Sequence, residues 1–183
     1  FKDGVLSLED RHLPGMWRVG EKLGGGNIGH TYGVDGTDEA SLTKAYVWGR
    51  KSHLEYERYF KEYLRGFENM ELVTSAPLMG IRETRRIRCD YELNVEDFNP
   101  ASTFADEIGR YSYPIDIHIA KPDKASYDQF VKDFSKRLGK GESYGIPYRS
   151  LTPRGLDNVW VAGRCIGVDR EMQASIRIMP CCY

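Results

Sequence analysis

The chain has 183 residues, of which 40% are hydrophobic, a length and composition typical of one ordinary globular domain. Its 26 basic and 27 acidic residues give a formal net charge of −1, so no overall field favours binding to nucleic acid or an anionic membrane. No apolar stretch approaches the roughly 20 residues that cross a bilayer, and no secretory pattern opens the chain. These features predict a soluble protein and favour the cytoplasm.

Glycine and turn-forming residues dominate the first part of the chain, residues 1–36, which predicts a loop. A helix is predicted from Asp38 to Arg65, because tyrosines and aliphatic residues recur there at helical spacing. Gly66 ends this pattern, and Gly49 weakens the middle of the helix.

The middle of the chain alternates extended and polar segments. Glu71 to Leu93 predicts strand, turn and strand, and Val95 to Phe98 predicts a short turn of helix. Ile108 to His118 predicts an extended segment. Lys121 to Glu142 is polar, with an amphipathic stretch from Tyr127 to Leu138, and is predicted to be an insertion.

The last third of the chain is the most regularly patterned. Tyr144 to Tyr148 predicts a strand, and Asn158 to Ala162 predicts a buried strand that runs into Gly163-Arg164-Cys165. Glycine at the carboxyl end of a buried strand permits close approach of a ligand to the backbone.

A helix is predicted from Glu171 to Met179, with Asp169 or the next residue at its start. Together with the preceding turn it places Arg164, Asp169, Ser175 and Arg177 near one strand end. A helix amino terminus favours an anion or an electron-rich ring edge there. A strand followed by glycine is common in α/β folds, so a purely structural interpretation stays open.

Three arginines, Arg82, Arg85 and Arg86, are crowded into five residues. Guanidinium groups make forked, charge-assisted bonds, so this cluster is a candidate site for a carboxylate or another negative charge. The alternative is a salt-bridged strand start, with Glu83 and Asp90 as the partners.

Histidine and tyrosine supply the candidate proton donors and acceptors. His118 and His30 are candidate proton carriers, because imidazole titrates near neutral pH. Tyr113 and Tyr148 are candidates to donate a hydroxyl to a substrate, although most of the 12 tyrosines must serve packing. A structural role stays open for each of these residues.

The four cysteines lack the spacing of a metal site or a disulfide framework. Cys89, Cys165, Cys181 and Cys182 form no CxxC pair, and adjacent cysteines are poorly placed to bridge each other. We therefore expect free thiols and no metal site.

Two blocks near the end, Asp157 to Ile166 and Ser175 to Pro180, closely resemble the carboxy-terminal signature of a family of bacterial FAD-dependent oxidoreductases. The resemblance covers most of residues 20 to 180, outside the polar stretch 121–142. Further blocks resemble the family in the family's order: 27–30, 33–37, 75–87, 113–118 and 146–151.

This resemblance implies an architecture similar to that of the glutathione-reductase-like flavoproteins. In them an amino-terminal Rossmann unit holds the ADP part of FAD, and a late strand ending in glycine returns to the flavin. Arg164 stands where such flavoproteins often carry an acidic residue, which puts the partner of the ribityl chain in doubt. The implied cofactor-binding residues are Gly163, Arg164, Cys165, Asp169, Ser175 and Arg177.

The resemblance further implies redox chemistry at FAD on a small organic substrate. Arg82, His118 and Tyr148 are then the expected catalytic residues on the substrate side. The arginine cluster is a hint of an acidic or polyhydroxylated substrate.

No Gly-x-Gly-x-x-Gly follows a strand and opens a helix in this chain. We therefore expect a carboxy-terminal portion that lacks its Rossmann unit, its natural partner, and that is inactive alone. The ends, without an initiator Met and stopping at Tyr183, suggest the same. The alternative is a non-catalytic binding module derived from the flavoprotein fold.

The predicted fold class is α/β or α+β, a mixed sheet with helices packed on it. Residues 1–157 are predicted to form a substrate-facing, capping region, and residues 158–183 a strand, turn and helix that return to the flavin. The late strand would leave an exposed apolar edge, which predicts aggregation or self-association.

Overall fold

The structure is a computed structural model that describes residues 1–10, 16–134 and 137–183. Residues 11–15, within the predicted first loop, lie outside the described residues. So do residues 135 and 136, which belong to the predicted amphipathic stretch. None of the described helices combines the length and the apolar character that a membrane span requires.

The chain divides into two compact units. The first comprises residues 1–80 and 119–129, and the second comprises residues 81–118 and 130–183. The elements in chain order are strands β1 (Met16–Arg18) and β2 (Gly24–Gly26), helices α1 (Glu39–Tyr63) and α2 (Val95–Phe98), strand β3 (Glu107–Tyr111), helix α3 (Lys124–Phe134), strand β4 (Tyr144–Pro147), 3-10 turns at Tyr148–Ser150 and Gly163–Cys165, and helices α4 (Arg170–Ile176) and α5 (Met179–Cys182).

The described strands form two separate sheets, each of two antiparallel strands. β1 pairs with β2, and β3 pairs with β4. The fold is therefore a small α+β arrangement, which is one of the two predicted fold classes. The predicted mixed sheet is wrong for the described residues, because they form two separate antiparallel sheets. The β1–β2 hairpin lies within the first 36 residues, where a loop was expected.

Helix α1 confirms the predicted long helix. The Asp38 carboxylate caps its amino end by accepting a hydrogen bond from the Ser41 amide at 2.7 Å. The helix ends just before Gly66, whose φ of +92° suits glycine alone among ordinary residues. Its buried positions are Ala45, Tyr56 and Phe60.

Several predicted elements of the second unit are also confirmed. Helix α2 begins at a capping box on Asn94, and α4 begins at Asp169. Strand β4 fits the predicted strand, whereas β3 stops at Tyr111, because Tyr111 pairs with Tyr144, the first residue of β4. The buried apolar core of the unit consists of Leu93, Phe98, Tyr144, Ile146, Ile166, Val168, Met172 and Ile176.

The prediction of two strands between Glu71 and Leu93 is wrong. The segment contributes only isolated bridges, one of which pairs Cys89 with Pro153. Its amides find single partners instead of a ladder: Ile87 donates to the Cys165 carbonyl at 3.0 Å. Alternating apolar residues make a strand only where a neighbouring strand offers continuous pairing.

The prediction of a buried strand from Asn158 to Ala162 is also wrong. The segment has no strand structure, and Trp160 is 58% exposed. Asn158 has a φ of +59°, and the Val161 amide donates to the Leu151 carbonyl at 2.9 Å without a ladder around it. An apolar run of five residues does not specify a strand by itself, because no neighbouring strand pairs with it among the described residues.

Candidate functional site

Two of the predicted site residues, His118 and Arg177, meet at Asp116. Arg177 Nη2 lies 3.0 Å from Asp116 Oδ2 and 3.0 Å from the backbone oxygen of the same residue. His118 Nε2 lies 3.3 Å from the other carboxylate oxygen, Oδ1. All three side chains are between 11% and 14% exposed, so this is a nearly buried group of charged and polar atoms.

Local structure explains why these three residues meet. Asp116 and His118 lie two residues apart in the irregular segment after β3, and their side chains meet at 3.3 Å. Arg177 ends α4, where its amide donates to the Gln173 carbonyl at 3.1 Å. The side chain of Arg177 thus starts from the end of a capped helix.

The electrostatics of Asp116 follow from its neighbours. Burial alone raises the pKa of its carboxyl group. The hydrogen bond to His118 and the charges of His118, Arg177 and Arg82 outweigh burial, so the net pKa of Asp116 lies below its usual value. The group is therefore a carboxylate at neutral pH.

Arg82, the third predicted residue of this region, lies within electrostatic reach of Asp116 and Arg177. Burial first, and the charge of Arg177 second, lower the pKa of Arg82 to about 10, which leaves the guanidinium charged at neutral pH. Its Nη1 atom is buried and has no hydrogen-bond partner among the described residues. We call Arg82, Asp116, His118 and Arg177 the Asp116 cluster.

Two side chains fix the backbone that carries Arg82. Gln173 Nε2 donates to the Arg82 carbonyl at 3.0 Å, and Arg164 Nη1 donates to the Ile81 carbonyl at 2.6 Å. The second of these bonds attaches the Asp116 cluster to the turn Gly163–Cys165, which we call the Gly163 turn. Predicted cofactor residues and predicted substrate residues therefore lie side by side.

The Gly163 turn is open to solvent. Gly163 has a φ of +77°, and a Cβ built on it would meet no atom within 4 Å. Arg164 and Cys165 are both exposed, and the Cys165 Sγ lies 3.6 Å from the Ala162 carbonyl oxygen. A substituent the size of a methyl group would therefore meet no side chain at Gly163.

Ser175, a predicted cofactor ligand, is fully buried and occupied within the fold. Its Oγ lies 2.7 Å from the Tyr144 hydroxyl and donates to the Tyr113 carbonyl at 2.5 Å. Both Ser175 and Tyr144 are 0% exposed. Burial raises the pKa of Tyr144, so its hydroxyl stays protonated at any physiological pH. Ser175 therefore links α4 to the segment that carries Asp116.

Asp169, another predicted cofactor ligand, caps α4. One carboxylate oxygen accepts from the Met172 amide at 2.7 Å, and the other accepts from the Val95 amide at 2.8 Å. Both oxygens are thus bound to backbone amides, which join α4 to α2. The contacts of Asp169 are those of a helix cap.

Tyr148, predicted to be catalytic, is joined to a different part of the second unit. Its hydroxyl accepts a hydrogen bond from the indole N–H of Trp160, and its side chain is exposed. The Tyr148 amide donates to the Asp106 carbonyl at 2.8 Å. None of these contacts brings Tyr148 to the Asp116 cluster.

Sequence reasoning missed two residues of the site, Asp116 and Gln173. The signal for Asp116 was its position two residues before His118 in a segment predicted to be extended, which would place both on one face. The signal for Gln173 was its spacing of four from Arg177 on a helix, which also puts two side chains on one face.

The second histidine candidate, His30, belongs to the first unit. Its Nδ1 lies 2.8 Å from Asp10 Oδ2, and the Asp10 side chain is buried. Burial, followed by the negative charge of Asp10, raises the pKa values of Tyr32 and Tyr56 nearby. This arrangement joins the first ten residues to the loop before α1.

The cysteines are all free thiols. Cys89 is buried and Cys165 is exposed, while Cys181 and Cys182 are partly buried. Burial, and then the neighbouring Cys182, raise the pKa of Cys181 to about 11. Burial also raises the pKa values of Cys89 and Cys182, so these three thiols are not set up as thiolate nucleophiles.

Comparison with known proteins gives one family. A family model described as FAD dependent oxidoreductase matches residues 5–183. No curated protein and no solved structure gives a significant match to the chain.

Proposed function

Because the chain belongs to the FAD dependent oxidoreductase family, whose cofactor is FAD, we propose that its second unit forms one redox site. In it the Gly163 turn faces the flavin and the Asp116 cluster faces a small organic substrate. The observation that carries this assignment is the bond from Arg164 Nη1 to the Ile81 carbonyl, next to Arg82. This bond connects the Gly163 turn to the Asp116 cluster, and a flavin and its substrate must bind next to each other.

The residues at the Gly163 turn fit a flavin. The space beside Gly163 is open, and Arg164 and Cys165 are exposed. When bound, FAD supplies hydride or electron transfer, and the protein orients the substrate against it. Asp169 and Ser175 do not fit direct contact, since their polar atoms are held within the fold, and we assign them positioning roles.

Within the Asp116 cluster the three remaining side chains have distinct roles. His118 is the proposed proton carrier, because its ring is held at Asp116 and imidazole titrates near neutral pH. Arg177 holds Asp116 at two oxygens and so fixes the position of His118 indirectly. Arg82 is the proposed substrate-binding residue.

The exposed segment after Gly155 suits contact with the part of the holoenzyme that holds the ADP half of FAD. Leu156, Val159 and Trp160 are 60%, 41% and 58% exposed, an apolar surface that a partner would cover. Tyr148 lies beneath Trp160 in this proposal and supports the contact instead of reacting.

Flavin occupancy tests the cofactor side of the proposal. In the holoprotein, Arg164→Ala should lower the flavin absorption at about 450 nm per mole of protein. The substitution removes the bond to the Ile81 carbonyl that holds the turn facing the flavin ring. Arg154→Ala removes another exposed arginine and serves as the control. Equal flavin content in both variants would remove Arg164 from the cofactor site, and a colourless wild-type protein would favour the binding-module alternative.

The substrate side is tested by anaerobic bleaching of the flavin band with a panel of small organic compounds. His118→Gln should slow bleaching by roughly a hundredfold, as loss of a general acid or base does, while flavin content stays unchanged. Bleaching at the wild-type rate would exclude His118 as the proton carrier.

A further inference from the structure

The Asp116 cluster carries an excess of positive charge in a nearly buried place. Arg82 and Arg177 contribute two positive charges and Asp116 contributes one negative charge, so the surplus is +1 when His118 is neutral and +2 when it is protonated. Each carboxylate oxygen of Asp116 already has a partner, Arg177 at Oδ2 and His118 at Oδ1, and Arg82 Nη1 bonds to neither oxygen. Charge inside a protein is costly unless it is paired and hydrogen-bonded. The surplus belongs to Arg82.

One nitrogen of the Arg82 guanidinium lacks a hydrogen-bond partner within the described part of the chain. Arg82 Nη1 is shielded from solvent and has no hydrogen-bond partner among the described residues. A buried N–H of this kind loses its hydration without replacement, which is destabilising. Such unsatisfied groups are rare in native structures and are found at catalytic and binding sites, among other places.

The backbone that carries Arg82 is held in place. Bonds from Gln173 and Arg164 hold the carbonyl groups of Arg82 and Ile81. A fixed backbone limits the freedom that the Arg82 side chain loses when it binds a ligand.

We propose that Arg82 binds the carboxylate of a small organic acid, which is the substrate class of the site. The inference rests on the proposed function of the same cluster. One surplus positive charge matches a monoanion, and the flat guanidinium fork matches the two oxygens of a carboxylate. Because Nη1 is closed off from solvent in the fold, the guanidinium must turn toward the carboxylate, which would then accept the hydrogen bond that Nη1 lacks.

The experiment is a titration of the holoprotein with sodium acetate against sodium chloride at constant ionic strength. Acetate is the minimal carboxylate probe, and inorganic phosphate is titrated in parallel. The readouts are the melting temperature, the position of the flavin band and the flavin content. The variants are Arg82→Met, Arg82→Lys, and Arg85→Gln as the control, since Arg85 is an exposed arginine of the same sequence cluster.

Acetate should raise the melting temperature of wild type and of the Arg85 variant with apparent dissociation constants within about twofold of each other. Arg82→Met should weaken acetate binding at least about tenfold, the usual loss for a charge-assisted bond. Without acetate, Arg82→Met should melt at a higher temperature than wild type, because it removes an unmatched buried charge. A purely structural arginine would give the opposite shift.

Three outcomes would overturn the proposal. They are an unchanged acetate response in Arg82→Met, phosphate binding more tightly than acetate through Arg82, and a wild-type melting temperature insensitive to acetate. If the Met variant fails to fold, Arg82→Lys keeps the charge and loses the fork, and it should still bind acetate severalfold more weakly. Flavin content is read separately, so a flavin-free protein that binds acetate through Arg82 contradicts the proposed function alone.

Discussion

Arg177 holds Asp116 at two points, since its Nη2 lies 3.0 Å from both the carboxylate oxygen Oδ2 and the backbone oxygen of Asp116. The two bonds attach the end of α4 to the segment that carries His118. Everything proposed for the site depends on this attachment, because it sets the position of the imidazole and surrounds Arg82 with fixed charge.

Replacing the carboxylate tests this attachment. Asp116→Asn should lower the free energy of unfolding at pH 7 by roughly 2 kcal/mol, because the nearly buried Arg177 loses its counter-charge. The measurement is urea unfolding of both proteins. Asp157→Asn makes the same change at an exposed carboxylate and should have little effect.

The same pair of proteins gives a pH prediction with a definite sign. The folded-state pKa of Asp116 is lowered, so its contribution is complete above the unfolded value of about 3.9 and is lost as the pH falls through the folded value. The stability difference between wild type and Asp116→Asn should persist down to about pH 4 and shrink below it. A difference that grew on acidification would contradict the assignment.

The sequence predicts helices better than strands here, for a physical reason. The helices α1 and α4 carry their own start signals in Asp38 and Asp169, and each bond they need lies within the segment. The segment 158–162 looked like a strand by composition alone, but a strand needs a partner.

The candidate site was likewise only partly predictable from the sequence. Residue types singled out Arg82, His118 and Arg177 individually. Arg177 was expected among the cofactor residues and the other two on the substrate side, so their meeting around Asp116 was not predicted. Nor could it be predicted that Arg82 is the half-buried member while Arg85 and Arg86 are exposed, because burial is decided by the segments that pack over the chain. Asp116 was within reach of sequence reasoning through its spacing from His118.

The buried hydroxyl pair between Tyr144 and Ser175 should show measurable coupling. Ser175→Ala deprives both the Tyr144 hydroxyl and the Tyr113 carbonyl of a partner, so it should cost about 2 kcal/mol of unfolding free energy, and Tyr144→Phe about 1 kcal/mol. The double variant should cost less than the sum by about 1 kcal/mol. Additive losses would mean that the two hydroxyls do not interact.

Helix α1 offers a stabilising change that leaves the site alone. Gly49 lies in mid-helix, and a Cβ there would meet no atom within 4 Å. Gly49→Ala should therefore raise the unfolding free energy by about 0.5–1 kcal/mol, through helix propensity. Gly66→Ala is the matched opposite: its φ of +92° should make the same substitution destabilising. Equal effects of the two variants would contradict the helix end described here.

Gly167 lies between the Gly163 turn and α4, and its lack of a side chain is required by packing. A Cβ at this position would collide with Cys89 Sγ, come within 2.7 Å of Cys89 Cβ and lie 3.3 Å from the Ser150 carbonyl oxygen. The backbone cannot easily retreat, because the Gly167 amide donates to that same carbonyl at 2.8 Å, and its own carbonyl accepts from Leu93 at 3.1 Å.

Gly167→Ala should consequently cost about 3 kcal/mol of unfolding free energy, at the upper end of overpacking changes, and lower the flavin content of the holoprotein by displacing the Gly163 turn. Gly109→Ala, where a Cβ meets open space, is the control and should leave flavin content unchanged. Adding Cys89→Ala should restore only part of the loss, because the Cβ of residue 89 and the Ser150 carbonyl still obstruct the new methyl group. Full flavin content in Gly167→Ala, at reduced stability, would separate the packing of this glycine from the geometry of the Gly163 turn and would contradict the proposed coupling between them.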